Sequence, residues 1–328
     1  MSDATVAADA LPRTTRRANA EFPRYGWVGL AMIAVLMLNN VARRFGWLPE
    51  WSDWVNLISS WTTPVCWWGL ILFCDAWIFR REGNSWLKNE RGLFALMCIL
   101  SVIFWCIFEA YNWDNTLMPG WKYIGLPEST AEKFIGYPIA FATIMPGMFV
   151  VTRLVKSYGV FANARMPAIR WNKASLVAMM LFGLFCVVFP PFLRADDPTH
   201  LVPQSWRLAV DSPWWALWWG AVWSGYVFFL DPINYWRGGQ SIFRDWEHGK
   251  LGRTLQLFLA GAICGLIWEF WNYWAFTKWI YTFNLAQHLK LFEMPVLGFF
   301  GFPPFNLEYF VMFHFVALFF TNEDKLKL

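Results

Sequence analysis

Glu269 and Asn272 stand three residues apart in an apolar stretch, Gly261 to Tyr281, that reads GAICGLIWEFWNYWAFTKWIY. The chain leaves this stretch through Trp279-Ile280-Tyr281. Upstream, the stretch Leu100 to Tyr123, LSVIFWCIFEAYNWDNTLMPGWKY, sets Glu109, Asn112, Trp121 and Tyr123 in the same relative places. A carboxylate this deep in an apolar helix is costly to bury and persists for a reason. Such surroundings favour the protonated carboxyl, which suits a proton donor near neutral pH. The faces of Trp268, Trp271, Trp279 and Tyr281 could hold a developing cation, because a π face is negative. Protonating an alkene and holding the resulting carbocation would need that pairing. A plainer use stays open: Glu269 and Asn272 share a helix face and could hydrogen-bond a neighbouring helix as structural glue.

Three more acids join the candidate catalytic set of Glu269 and Glu109. Glu308 sits in the last apolar segment, within Gly298-Phe-Phe-Gly-Phe-Pro-Pro-Phe-Asn-Leu-Glu308-Tyr-Phe310. Asp75 and Asp231 each approach the end of an apolar segment and precede a polar turn, Gly83-Asn84-Ser85 or Gly239-Gln240-Ser241. An Asp so placed can do chemistry or satisfy loop amides, and both uses stay open. Asn272, Asn112, Trp268, Trp271, Trp279, Tyr281, Trp121 and Tyr123 form the expected binding wall. Asp114 and Asn115 fall in the outer interface.

The elements that carry these residues must cross a membrane. Hydrophobic residues are 57% of the chain and charged residues only 15%, against about a quarter in a soluble domain. The apolar material is gathered into segments near 20 residues, the length that spans a bilayer core of roughly 30 Å. Eight spans are expected, at Trp27–Ala42, Trp61–Phe79, Leu93–Trp113, Phe134–Thr152, Ser175–Phe192, Trp214–Tyr235, Leu255–Trp274 and Phe299–Phe320. The fold class is an all-α polytopic membrane protein.

The first 25 residues carry Arg13, Arg16 and Arg17 and lack the apolar core of a signal peptide. Basic residues in that tail, in the loops at 80–91, 153–173 and 237–253, and at Lys325 and Lys327 fall on one side. The positive-inside rule then puts both termini in the cytoplasm, and a bacterial inner membrane is the expected location. The basic residues are spread over loops and form no stripe, which argues against nucleic acid.

The halves repeat. Trp67-Trp68-Gly69 leads to Asp75 as Trp223-Ser224-Gly225 leads to Asp231. The Glu–Asn helices and Trp-x-Tyr exits follow, and Pro138 precedes Pro146 as Pro295 precedes Pro303. Offsets of about 156 to 160 residues relate every pair, which reads as a duplicated four-helix unit. The expected organisation is a tail (1–25), a first repeat (26–155), a basic linker (156–173), a second repeat (174–322) and a short C-terminal tail (323–328). Copies of even span number enter the membrane the same way round, about an axis along its normal. Only the second copy carries an acid in its last span, so chemistry is expected there.

Several classes fall away. P-loop, dinucleotide, HExxH and GxSxG signatures are absent from the sequence. His200, His248 and His288 fall in loops and His314 in the last span, where it reads as a satisfied core residue; paired transmembrane His for haem is missing. The six Cys sit in apolar segments without a CxxC and read as core. No DxxD or ExxH pair supports a metal. No cofactor is expected.

Trp113-Asp114-Asn115, five residues, then Trp121-Lys122-Tyr123 resembles the loop motif of the small membrane lycopene cyclase domains. Pro303-Pro304-Phe-Asn-Leu-Glu308 resembles a relaxed form of that family's Pro-x-Glu-Glu segment, without the Glu-Glu pair. The order of an intramembrane Glu, an aromatic exit and a Gly-Pro-rich segment is also similar to membrane carotenoid hydratases. The resemblance implies a cofactor-independent, acid-catalysed cyclase, hydratase or isomerase reaction on an isoprenoid, with Glu308 and Glu269 as acids. Two other expectations stand beside it. One is a proton-coupled transporter or channel, with a polar path from the Glu109/Glu269 layer to the Asp75/Asp231 layer. The other is a non-catalytic subunit of a larger membrane complex, or a homo-oligomer, packing through Trp surfaces.

Overall fold

A computed structural model describes residues 20–47, 53–113, 117–194, 196, 199, 201–209 and 212–320. Arg13, Arg16, Arg17, Asp114, Asn115, His200, Lys325 and Lys327 lie outside the described residues.

The described chain is mostly helical. The first half holds α1 (Arg24–Arg44), α2 (Asp53–Ser60), α3 (Thr62–Glu82), α4 (Trp86–Asn89) and α5 (Arg91–Tyr111), then strand β1 (Trp121–Ile124), α6 (Thr130–Phe141) and α7 (Ile144–Ser157). The second holds α8 (Lys173–Val188), α9 (Trp215–Trp236), α10 (Ile242–Glu247) and α11 (Gly252–Trp274). It ends in strands β2 (Lys278–Tyr281), β3 (Lys290–Leu291) and β4 (Met294–Pro295), a 3-10 turn (Val296–Gly301) and α12 (Phe302–Ala317). Among the described residues six helical segments are long and apolar enough to cross a membrane: α1, α3, α5, the α6–α7 run, α11, and the run Val296–Ala317 that ends in α12.

Local chemistry sets several boundaries. Gly83, at φ 73°, closes α3 in the left-handed conformation that glycine adopts without penalty. Asn172 and Ser175 form a reciprocal capping box at the start of α8. Pro190 and Pro191, which have no N–H to donate, follow the end of α8, and the chain tightens into a 3-10 turn. The expected span Phe134–Thr152 is in fact two helical pieces, α6 and α7, stepped at Ala142–Thr143 between Pro138 and Pro146.

Small residues let the outer helices seat closely. A Cβ on Gly29 of α1 would lie 2.3 Å from the Gly69 carbonyl oxygen of α3, and one on Gly183 of α8 would lie 2.6 Å from that of Gly225 in α9. The same crossing thus occurs in both halves. Inside, α11 packs on α7 and α12, and α12 packs on α9. Most of α12 is buried, whereas no residue of α6 is.

Two features depart from the expectation of helices joined by loops. The basic segment expected as a linker docks on the second half: Met166 N–H donates to Gly249 O, Ile169 N–H to Trp246 O, and Trp171 stacks on Phe243 at 4.7 Å. The two Trp-x-Tyr exits meet as an antiparallel ladder, β1 against β2, pairing Trp121 with Tyr281, Lys122 with Ile280, and Tyr123 with Trp279.

Candidate functional site

Each Glu–Asn pair sits at the last turns of its helix, where the chain must turn into its strand. Asn272 makes that turn by bonding both backbone groups of Trp279: its Nδ2 donates to Trp279 O at 2.9 Å, and Trp279 N–H donates to its Oδ1 at 3.0 Å. Asn112 does the same for Trp121, at 2.9 and 3.3 Å, and also accepts from Gly120 N–H. The strands then bring their aromatic polar tips back onto the carboxylates. Tyr281 donates its hydroxyl to Glu269 Oε1 at 2.7 Å and Trp279 Nε1 donates to the same oxygen at 3.3 Å. Tyr123 donates to Glu109 Oε1 at 2.5 Å and Trp121 Nε1 at 3.3 Å. The glue expected from Glu269 and Asn272 therefore runs to the following strand and not to a neighbouring helix.

The halves differ in detail. Glu109 has a third donor, Trp105 Nε1 at 2.8 Å, and is half-buried. Glu269 is fully buried, and its Oε2 has no partner among the described residues. Burial, and after it the neighbouring carboxylate, holds the Tyr123 and Tyr281 phenols protonated well above the ordinary tyrosine range.

The rings of these side chains line a chamber of about 170 Å³. Its walls include Trp67, Trp105, Trp121, Trp223, Trp268 and Trp279, with Tyr123, Tyr281 and Phe305. It reaches the surface beside α6, past Glu132 and Lys133. On α6 the neighbouring Phe134 and Ile135 point outward at 76% and 61% exposure, so the mouth adjoins an apolar surface.

Of the expected wall, Trp268, Trp279, Tyr281, Trp121 and Tyr123 line the chamber. Trp271 does not; it packs edge-on against the back of Trp67 at 5.3 Å. Asn272 and Asn112 are buried behind the strands as turn clamps. Glu269 and Glu109 form a layer behind the rings, joined to the chamber through Tyr and Trp donors.

Asp75 and Asp231 are not brought to the chamber. Asp231 accepts from Ser241 Oγ, Ile242 N–H and Phe243 N–H, all within 3.1 Å. Asp75 accepts from Ser85 Oγ, Leu87 N–H and the Tyr25 hydroxyl. Both satisfy loop donors, the plainer of the two uses open to them. Glu308 is fully buried one turn beyond the lining residue Phe305, with neither oxygen partnered among the described residues. It lies in electrostatic range of Tyr111 and Tyr226, whose hydroxyls approach to 3.4 Å. His314 is buried with neither ring nitrogen partnered among the described residues, so there it is not the satisfied core histidine expected. Its packing is against Phe310 and Phe313, which offer no acceptor.

Trp105, Trp67, Trp223 and Phe305 were not singled out as site residues from the sequence. Trp105 stands four residues before Glu109, the spacing that puts two side chains on one helix face. Trp67 and Trp223 occupy corresponding places in the two halves, a signal of shared position that says nothing of what they line. Among the described residues no group of three or more His, Cys, Asp or Glu is placed to hold a metal ion. No protein-family model matches the chain, and the comparisons with characterised proteins and with solved structures found no match.

Proposed function

We propose that this chain is an integral membrane protein of eight spans, built as two tandem four-helix repeats, that binds a hydrophobic isoprenoid-type lipid and acts on it by acid–base chemistry. The repeat reading draws support from the matched Gly–Gly crossings, Asn clamps, Glu–Tyr–Trp contacts and Asp–Ser contacts of the two halves. On this reading α8 and α9 are the two further spans. The six long apolar segments support the membrane location, and loop charge supports cytoplasmic termini.

One observation carries the functional reading: a chamber walled by indoles, whose two phenols each donate to a carboxylate behind the wall. The lipid enters beside α6 with its reacting segment in the chamber and its remaining chain along the bilayer. Glu269 supplies the proton store and Tyr281 the contact. With Glu269 protonated the hydrogen bond reverses, so that Glu269 donates to the Tyr281 oxygen. Tyr281 gives its hydroxyl proton to the alkene and takes the proton of Glu269, and the indole faces hold the carbocation until it gives a proton back to the Tyr281–Glu269 pair. Glu109 and Tyr123 repeat the arrangement from the other half. The test is gentle purification from native membranes and mass spectrometry of the organic extract. A near-stoichiometric isoprenoid, lost in Trp268→Leu, supports the reading; bulk phospholipid alone overturns it.

The unpartnered Glu308 and His314 favour a second reading, proton-coupled transport, because ionisable groups buried in a membrane span often belong to proton paths. Proton flux in liposomes that disappears in Glu308→Gln would select it.

A further inference from the structure

Behind the chamber's rings the charged groups are carboxylates, and at its mouth Glu132 stands beside Lys133. Glu109 and Glu269 sit directly behind its rings, and neither is paired with a basic side chain among the described residues. Lys278, at the chamber's edge, is committed to Glu293 at 2.5 Å. The way the rings are held adds to this. Tyr123 and Tyr281 give their hydroxyl hydrogens, and Trp121 and Trp279 their indole N–H, to carboxylate oxygens. A ring whose N–H or O–H donates to a carboxyl oxygen is polarised toward its face, and a more negative face attracts an organic cation more strongly.

The rings also line the volume as a connected set. Trp105 meets Trp268 at 6.2 Å, and Trp268 meets Trp279 edge-on at 5.9 Å. From the other half, Trp105 stacks on Trp121 at 5.6 Å. The internal volume of about 170 Å³ is close to the ~150 Å³ that holds one benzene ring in an engineered cavity. It admits a compact group and leaves any long chain outside. A small hydrated metal ion would find few oxygen ligands there, whereas a cation dressed in methyl groups is matched by apolar π faces.

We infer that the group taken into the chamber is a compact organic cation, a quaternary or tertiary ammonium of about trimethylammonium size. The inference rests on the reading that the chamber is the ligand site, and the ammonium is held where that reading has the indole faces hold the positive charge that forms. The carboxylates act at one remove: they charge the cage electrostatically, and the indole faces make the contact.

The experiment is isothermal titration of the full-length protein in nanodiscs with choline chloride and with its neutral isostere, 3,3-dimethylbutan-1-ol. Choline is expected to bind about tenfold more tightly than the alcohol. Glu269→Gln is expected to remove most of that preference while leaving the alcohol's affinity unchanged, and Trp279→Phe to weaken both. Equal affinities for cation and alcohol would overturn the cation inference and leave the chamber standing as a lipid site. Binding of neither, with thermal unfolding intact, would overturn both.

Discussion

Trp121 stands directly opposite Tyr281 in the strand ladder, and Tyr123 opposite Trp279. Exchanging the two strands exchanges these pairs, so a local twofold passes through the Lys122–Ile280 pair. Four aromatic side chains at alternate positions therefore share one face of the ladder and present their polar tips to the two carboxylates. The ladder thereby ties Glu109 of one half to Glu269 of the other through hydrogen-bonded side chains of paired strands.

The asparagine clamps test whether the halves are held alike. Asn272→Ala strips partners from both backbone groups of Trp279, and Asn112→Ala does so at Trp121. Each is expected to destabilise the protein by about 1–3 kcal/mol, because buried backbone groups lose their bonds. Thermal unfolding in detergent checks it. A fall confined to one variant would mean that the two clamps carry unequal weight.

The tyrosines separate positioning from chemistry. Tyr281→Phe leaves Glu269 with Trp279 Nε1 as its remaining side-chain donor, at 3.3 Å, whereas Tyr123→Phe leaves Glu109 with both Trp105 and Trp121. Turnover is expected to fall at least about tenfold in Tyr281→Phe and less in Tyr123→Phe, within the range for loss of a proton-transfer group. Lipid retained by the purified variants should change little. Loss of bound lipid in Tyr281→Phe at unchanged stability would reassign the hydroxyl to binding.

How much of this was legible beforehand depended on whether the signal was local. Apolar length marked the long helices, and the Glu–Asn and Trp-x-Tyr spacings marked the side chains that the structure brings together. The pairing of β1 with β2 was not legible, since each strand has four residues and its partner lies far away in the chain. Trp271 reads as wall from its aromatic ring and its nearness to Glu269. Its helical direction turns it instead against Trp67. Asp75 and Asp231 were ambiguous because an Asp before a Gly-Ser turn reads alike whether it serves a site or a loop.

That ambiguity gives a third prediction. Asp231→Ala removes the acceptor for Ser241 Oγ, Ile242 N–H and Phe243 N–H. Stability should fall by about 1–3 kcal/mol. The folded fraction should keep its ligand, because the chamber walls lie elsewhere. Ligand binding measured on folded protein separated by size exclusion checks this; complete loss there would restore Asp231 to the site.

Glu308 offers the sharpest division between fold and function. Its two carboxyl oxygens are buried and unpartnered among the described residues, an arrangement that costs about 1–3 kcal/mol relative to an apolar side chain of similar size. Glu308→Leu should therefore raise the unfolding temperature. If Glu308 stores or passes a proton, the same variant loses turnover or proton flux while it gains stability, the trade expected where a strained group is kept for function. Glu308→Gln keeps the shape but cannot carry the proton, so it should lose activity without gaining as much stability. A Leu variant that is both more stable and fully active would remove Glu308 from any mechanism and leave the Glu269–Tyr281 and Glu109–Tyr123 pairs to carry the chemistry.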